Sequence, residues 1–93
     1  MRVVFTEPAL EDLKDMRVFL VARYPDLVVV VRKSVRDMVK RLAKWPESSP
    51  VVAERPEVRS AVFAQYPYKI FYRITPKRIE ILHIRHSSRD SWT

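Results

Sequence analysis

The 93-residue chain contains no cysteine and no glycine, and its only imidazoles are His83 and His86. Without cysteine there is no disulfide, no thiolate metal ligand and no thiol nucleophile, which fits a reducing compartment. Two histidines without a thiol partner make a poor zinc set, so neither a metal nor any other cofactor is expected. No apolar run approaches the length of a membrane span, and the opening MRVVFTEPALEDL reaches an acid by position 7, unlike a secretory leader. A cytoplasmic protein without membrane contact is therefore expected. The lack of glycine excludes the residue that best tolerates left-handed backbone, so any left-handed turn position would fall to less suitable residues.

Acids are also scarce. Eighteen Lys/Arg face eleven Asp/Glu, giving a formal charge of +7 and an isoelectric point near 10.1. Residues 55–93 hold 8 of the bases against 3 acids, so most of the excess lies in the C-terminal half. Such a balance favours a polyanionic partner: nucleic acid, a ribosome or an acidic protein segment. Hydrophobic residues make up 47% of the chain, enough for a packed core and inconsistent with disorder. The length suits one domain, residues 1–93, whose modest burial makes its stability lean on a partner.

Val3-Val4-Phe5 reads as a short strand, and Thr6-Glu7-Pro8 as a helix start with proline in the first turn. Ala9, Leu13, Met16 and Leu20 then recur at helical spacing until Tyr24-Pro25 stops the helix. A second segment opens at Asp26. Its β-branched run Leu27 to Val31 suits a strand locally, but Val28, Val31, Val35, Met38 and Leu42 form one helical stripe and Lys33, Arg36, Lys40 and Lys44 another. The longer pattern predicts a basic amphipathic helix ending near Trp45-Pro46. Residues 47–54 read as a loop, followed by strands at about 58–64, 68–74 and 79–85 with breaks at Tyr66-Pro67 and Pro76-Lys77-Arg78. The expected fold is α+β in the order β-α-α-β-β-β, an antiparallel two-helix hairpin packed on an antiparallel sheet.

Three stretches resemble a known family. Phe5-Thr6 with Ala9 and Asp12-Leu13 resembles its opening strand and first helix, and Leu42 to Pro46 the close of its second helix, both with little specificity. The third stretch is more specific: Arg59, then Tyr66 to Ile74 (YPYKIFYRI), then Ile79 to Asp90 (IEILHIRHSSRD). Together these are similar to the ParE/RelE superfamily of toxins from bacterial type II toxin–antitoxin systems, in its ParE-like branch. The resemblance implies a toxin domain held inactive in a hetero-oligomer with a cognate antitoxin, whose C-terminal segment lies over the toxin as helix and extended chain.

Each distinctive residue also has a plain reading. Tyr68, Ile70, Tyr72 and Ile74 share one strand face and suit a core; the basic stripe suits a solvated helix face. His83 leans structural, while His86 is either a hydrogen-bonded strand end or a working residue. Arg59, Arg73 and Arg89 are well matched to phosphate or carboxylate, either of a target or of antitoxin acids, with a surface salt bridge as the alternative. The candidate target- or antitoxin-binding set is Arg59, Arg73, Arg85, His86, Arg89 and Trp92.

The superfamily implies two activities. RelE-like members cut messenger RNA on the ribosome, and ParE-like members act on DNA gyrase and block replication. Cutting RNA through its 2′-hydroxyl needs a base, a proton donor for the leaving oxygen, and positive charge on the phosphorane. Arg59, Arg73, His86 and Arg89 would be that metal-independent set if they shared a face, which strand alternation alone does not establish. The ending Asp90-Ser91-Trp92-Thr93 lacks the basic-plus-tyrosine close of many RelE-type nucleases. The expectation is therefore a gyrase-directed, non-enzymatic toxin, with a ribosome-dependent endoribonuclease, or a non-toxic binding module on the same fold, as alternatives.

Overall fold

The computed structural model describes residues 1–87, in the order β1 (Val3–Phe5), α1 (Glu7–Arg23), a 3-10 turn (Pro25–Leu27), α2 (Val28–Lys44), β2 (Val51–Val52), β3 (Arg55–Val62), β4 (Tyr68–Ile74) and β5 (Ile79–His86). Thr6 starts α1: its backbone is extended, its Oγ1 accepts from the Ala9 amide, and Pro8 occupies the first turn where a missing N–H costs nothing. Both helices stop the same way. Tyr24 and Trp45 each precede a proline, which disfavours helical backbone there, and each closes its helix by donating its N–H to the carbonyl four residues earlier, Leu20 or Arg41.

The Val28 to Val31 run is helical, as the longer pattern predicts. Val31, Val35, Met38 and Leu42 are buried against the sheet, and that shared face outweighs the small propensity cost of β-branching. From α1, Ala9, Met16 and Leu20 join the same core, with Leu13 packed at its margin. The sheet contributes Ala61, Ile70, Tyr72, Ile79, Ile81 and Ile84, Phe63 joins them from just beyond β3, and Tyr68 and Ile74 pack against them. The alternation of β4 is thus core, as its plain reading held.

Four expectations need correction. The sheet is mixed, in the order β1-β5-β4-β3-β2: β2 to β5 are antiparallel in succession, but β1 pairs with β5 in parallel. The stretch expected as a loop contains β2, two residues paired antiparallel with β3. The strand expected at 58–64 runs instead from Arg55 to Val62, β2 giving its early residues a partner. Finally, no described residue has a positive φ. At the β4–β5 turn the Thr75 side chain does the work, its Oγ1 accepting from the Lys77 and Arg78 amides while its own amide donates to the Arg78 carbonyl.

Candidate functional site

One feature of β5 decides where its functional side chains point. Phe71 pairs with His83 but the next residue, Tyr72, pairs with Ile81, so Leu82 is an extra residue in the strand. Ile81 and Ile84, three apart, therefore both face the helices. Strict alternation from Ile79 would send His83 and Arg85 to that side; the bulge sends them to the outer face and brings His86 to the helix side, opposite Tyr68.

Arg59 stands across from Tyr72 on the helix side. Its Nη1 donates to the carbonyl of Ser49 at 2.7 Å and of Glu47 at 3.4 Å, and Tyr72 Oη donates to the Pro46 carbonyl at 2.7 Å. The two side chains hold the connection between α2 and β2. Arg73, the next residue along β4, points to the outer face, where its Nε meets Glu80 Oε1 at 2.7 Å while Arg78 takes Glu80 Oε2 from the other side. Glu80 is only 7% exposed, and the bonds from Arg73 and then Arg78 hold its carboxyl below the usual carboxylate range against the opposing effect of burial. Arg85 lies opposite Lys69 on that outer face, with a buried Nε that has no hydrogen-bond partner among the described residues.

His86 packs edge-on against Tyr68, ring centres 5.5 Å apart, and burial pushes the Tyr68 phenol up. The Tyr68 and Tyr72 positions lie four residues apart on β4, so His86 and Arg59 are separated by roughly 13 Å along the strand direction. Arg59, Arg73 and His86 are not brought to one point: Arg59 and Arg73 face opposite sides of the sheet. Arg89 and Trp92 lie outside the described residues.

His83 has a local task. Beyond Ile81, where the pairing with β1 ends, β5 has no strand on that side among the described residues, and Asp12 of α1 takes its place: Oδ2 accepts from the Ile84 amide at 3.0 Å and meets His83 Nδ1 at 2.9 Å. Thr6 Oγ1 similarly donates to the Ile81 carbonyl at 2.7 Å. Asp12 gives the Ile84 amide an acceptor at this edge, while Thr6, whose amide also donates to the Ile81 carbonyl, ties the start of α1 to it.

One concave surface was not anticipated from the sequence. Between α1 and α2 an open groove of about 550 Å³ is floored by Phe5, Leu13, Met16, Leu20, Val35 and Val39. Lys14 and Arg17 rim it on α1, Arg32 and Arg36 on α2, and its lining holds no acid. The acids of α1's first half, such as Glu11 and Asp12, lie off its lining. In the sequence the signal was the breadth of the apolar faces: Leu10 and Val39 extend each stripe beyond what a helix needs to sit on a sheet. An apolar floor with a cationic rim is the shape and charge that receives an amphipathic acidic helix. Among the described residues, no helix is long and apolar enough to cross a membrane.

Comparisons with known proteins agree with this geometry. The profile of the family described as ParE toxin of type II toxin-antitoxin system, parDE, matches residues 3–91. The fold is similar to a chain of the chromosomal ParDE toxin–antitoxin system from P. aeruginosa, with a TM-score of 0.80 at 24% identity over 92% of this chain and 95% of that one. It is also similar to a YoeB/ParE toxin from Agrobacterium tumefaciens, with a TM-score of 0.63 at 16% identity over 92% and 98% of the two chains. No curated protein sequence matches the chain significantly.

Proposed function

The chain belongs to the ParE toxin family of type II toxin–antitoxin systems, and from that premise we propose that it is a gyrase-directed toxin acting by binding rather than by cutting RNA. The observation that carries this reading is the placement of Arg59 and Arg73 on opposite faces of the sheet, the first tying down a loop and the second clamping Glu80. A phosphorane needs converging positive charge within reach of a proton-transfer group. Here His86 is the third member of the expected set, and it lies about four strand residues from Arg59. Arginines that shape a surface serve recognition; dispersed in this way they do not assemble an acid–base site.

The cognate antitoxin, in this reading, silences the toxin through the inter-helix groove. An antitoxin segment folding as an amphipathic helix would lay apolar residues on Leu13, Met16 and Val35 and set acids against Lys14, Arg17, Arg32 and Arg36. Arg59, Arg73, Arg85, His86, Arg89 and Trp92 remain the candidate contacts to target or antitoxin, with Arg59 acting through the loop it holds. Both partners place the protein's work in the cytoplasm.

The test is biochemical. Purified toxin added to gyrase and plasmid should inhibit supercoiling or raise cleaved DNA, and ribosomes programmed with messenger RNA should show no new cuts. Ribosome-dependent cutting with intact supercoiling would replace this reading by the ribonuclease one.

A further inference from the structure

A second charged surface shares only Arg36 with the groove. On α2, Lys33, Arg36, Lys40 and Lys44 recur at three- and four-residue spacing along the side turned from the sheet, and all four are exposed. Successive cations are about one turn, roughly 5.4 Å, apart, and the row spans about 16 Å of a continuous 17-residue helix. Asp37 is the one acid among them, and its 3.0 Å bond to Lys33 joins two side chains that are 56% and 73% exposed. An ion pair so exposed is readily exchanged for another partner. At the end of the row Lys44 lies over the Trp45 ring, 4.7 Å from its centre.

We infer that this face of α2 is a docking surface for the phosphate backbone of duplex DNA, read without regard to base sequence. Charge complementarity selects a polyanion, and the composition of the row selects among polyanions. Protein interfaces contain an apolar core, yet from Lys33 to Lys44 this face presents only charged side chains, the exposed Val29 and Val30 lying beyond its N-terminal end. The groove on the other side of Arg36 has such a floor, which separates the two surfaces by chemistry. Single-stranded nucleic acid is held by aromatic platforms between the cations, and this row has none, Trp45 lying beyond its end beneath Lys44. A straight row of cations, by contrast, matches a duplex, which carries a negative charge every 1.7 Å or so of its axis. The inference rests on the gyrase reading only for its purpose: a toxin that meets gyrase meets it on DNA, and backbone contact raises the rate of encounter.

The experiment measures binding of the purified full chain to a labelled duplex of random sequence, without gyrase, as a function of salt. Four phosphate contacts predict a log–log slope of about −3 to −4. Arg36→Ala/Lys40→Ala/Lys44→Ala should flatten it to about −1, whereas the charge-keeping Arg36→Lys/Lys40→Arg/Lys44→Arg should retain it. Removing three cations elsewhere, Arg2→Ala/Arg23→Ala/Lys77→Ala, should leave the slope steep. The inference is overturned if the off-stripe variant flattens the slope as much as the stripe variant, if the parent binds no duplex at low salt, or if single-stranded RNA of equal length competes better than duplex. A flat slope leaves gyrase inhibition, measured separately, untouched; a steep slope beside absent inhibition sinks the gyrase reading alone.

Discussion

Arg59 and Tyr72 stand directly opposite one another on β3 and β4, and both reach the same connection, Arg59 donating to Ser49 O at 2.7 Å and Tyr72 to Pro46 O at 2.7 Å. The pair fixes how α2 hands over to the sheet. Tyr72→Phe keeps the buried ring and deletes one bond, which should cost about 0.5–1.5 kcal/mol of unfolding free energy, somewhat more if Pro46 O finds no water. Because Arg59→Ala releases the same segment, the double variant should lose less than the two single losses added together. Urea unfolding of the four proteins measures this; strict additivity would mean the two bonds do not act on one loop.

The helix stripe is tested at Leu42, which is fully buried in the core. Leu42→Ala should lower stability by about 2–5 kcal/mol. The same substitution at Leu10, which is 52% exposed, should cost far less. Equal costs would show that the packing described for α2 is wrong.

Much of this fold was legible. Of the five strands among the described residues, four follow with both long helices from period and punctuation, and the β4 limits were read as they stand, because Tyr-Pro and Ile-Thr-Pro bracket that strand. What could not be read was pairing. β2 has two residues and no pattern of its own, so it is recognised only by its pairing with β3, and the parallel direction of the β1–β5 pair has no signature in either strand. The site was less legible for a similar reason: one inserted residue, Leu82, exchanges the faces of His83, Arg85 and His86. The groove required knowing that α1 and α2 stand apart, which neither helix's own sequence encodes.

Asp12 substitutes for a strand at the β5 edge. Asp12→Ala should strip the Ile84 amide of its acceptor, and hydrogen exchange should accelerate there while the Ile70 amide, in the middle of the sheet, stays protected. Asp12→Asn, which keeps an acceptor oxygen, should lie between. Unchanged protection at Ile84 in Asp12→Ala would remove this role.

Glu80 makes the stability depend on pH in a predictable sense. Its carboxyl is held below the ordinary range by Arg73 and Arg78, so the folded state favours the ionised form more than the unfolded chain does. The stabilisation is complete above the unfolded-state value and is lost as pH falls through the lower folded-state value. Glu80→Gln should therefore weaken the protein at neutral pH and show a shallower acid limb in thermal melts. An acid limb as steep as the parent's would assign the effect to other carboxylates.

The central claim, a toxin that binds its target and transfers no proton through His86, is tested most directly in cells. The chain is induced without antitoxin, and DNA synthesis and translation are followed side by side for the parent, His86→Ala and His86→Phe, the last keeping a ring against Tyr68. The account predicts that DNA synthesis falls first in all three, with growth arrest of similar depth. Early loss of translation with messenger RNA cut at the ribosome, reduced about 10²–10⁴-fold in both His86 variants, would contradict it.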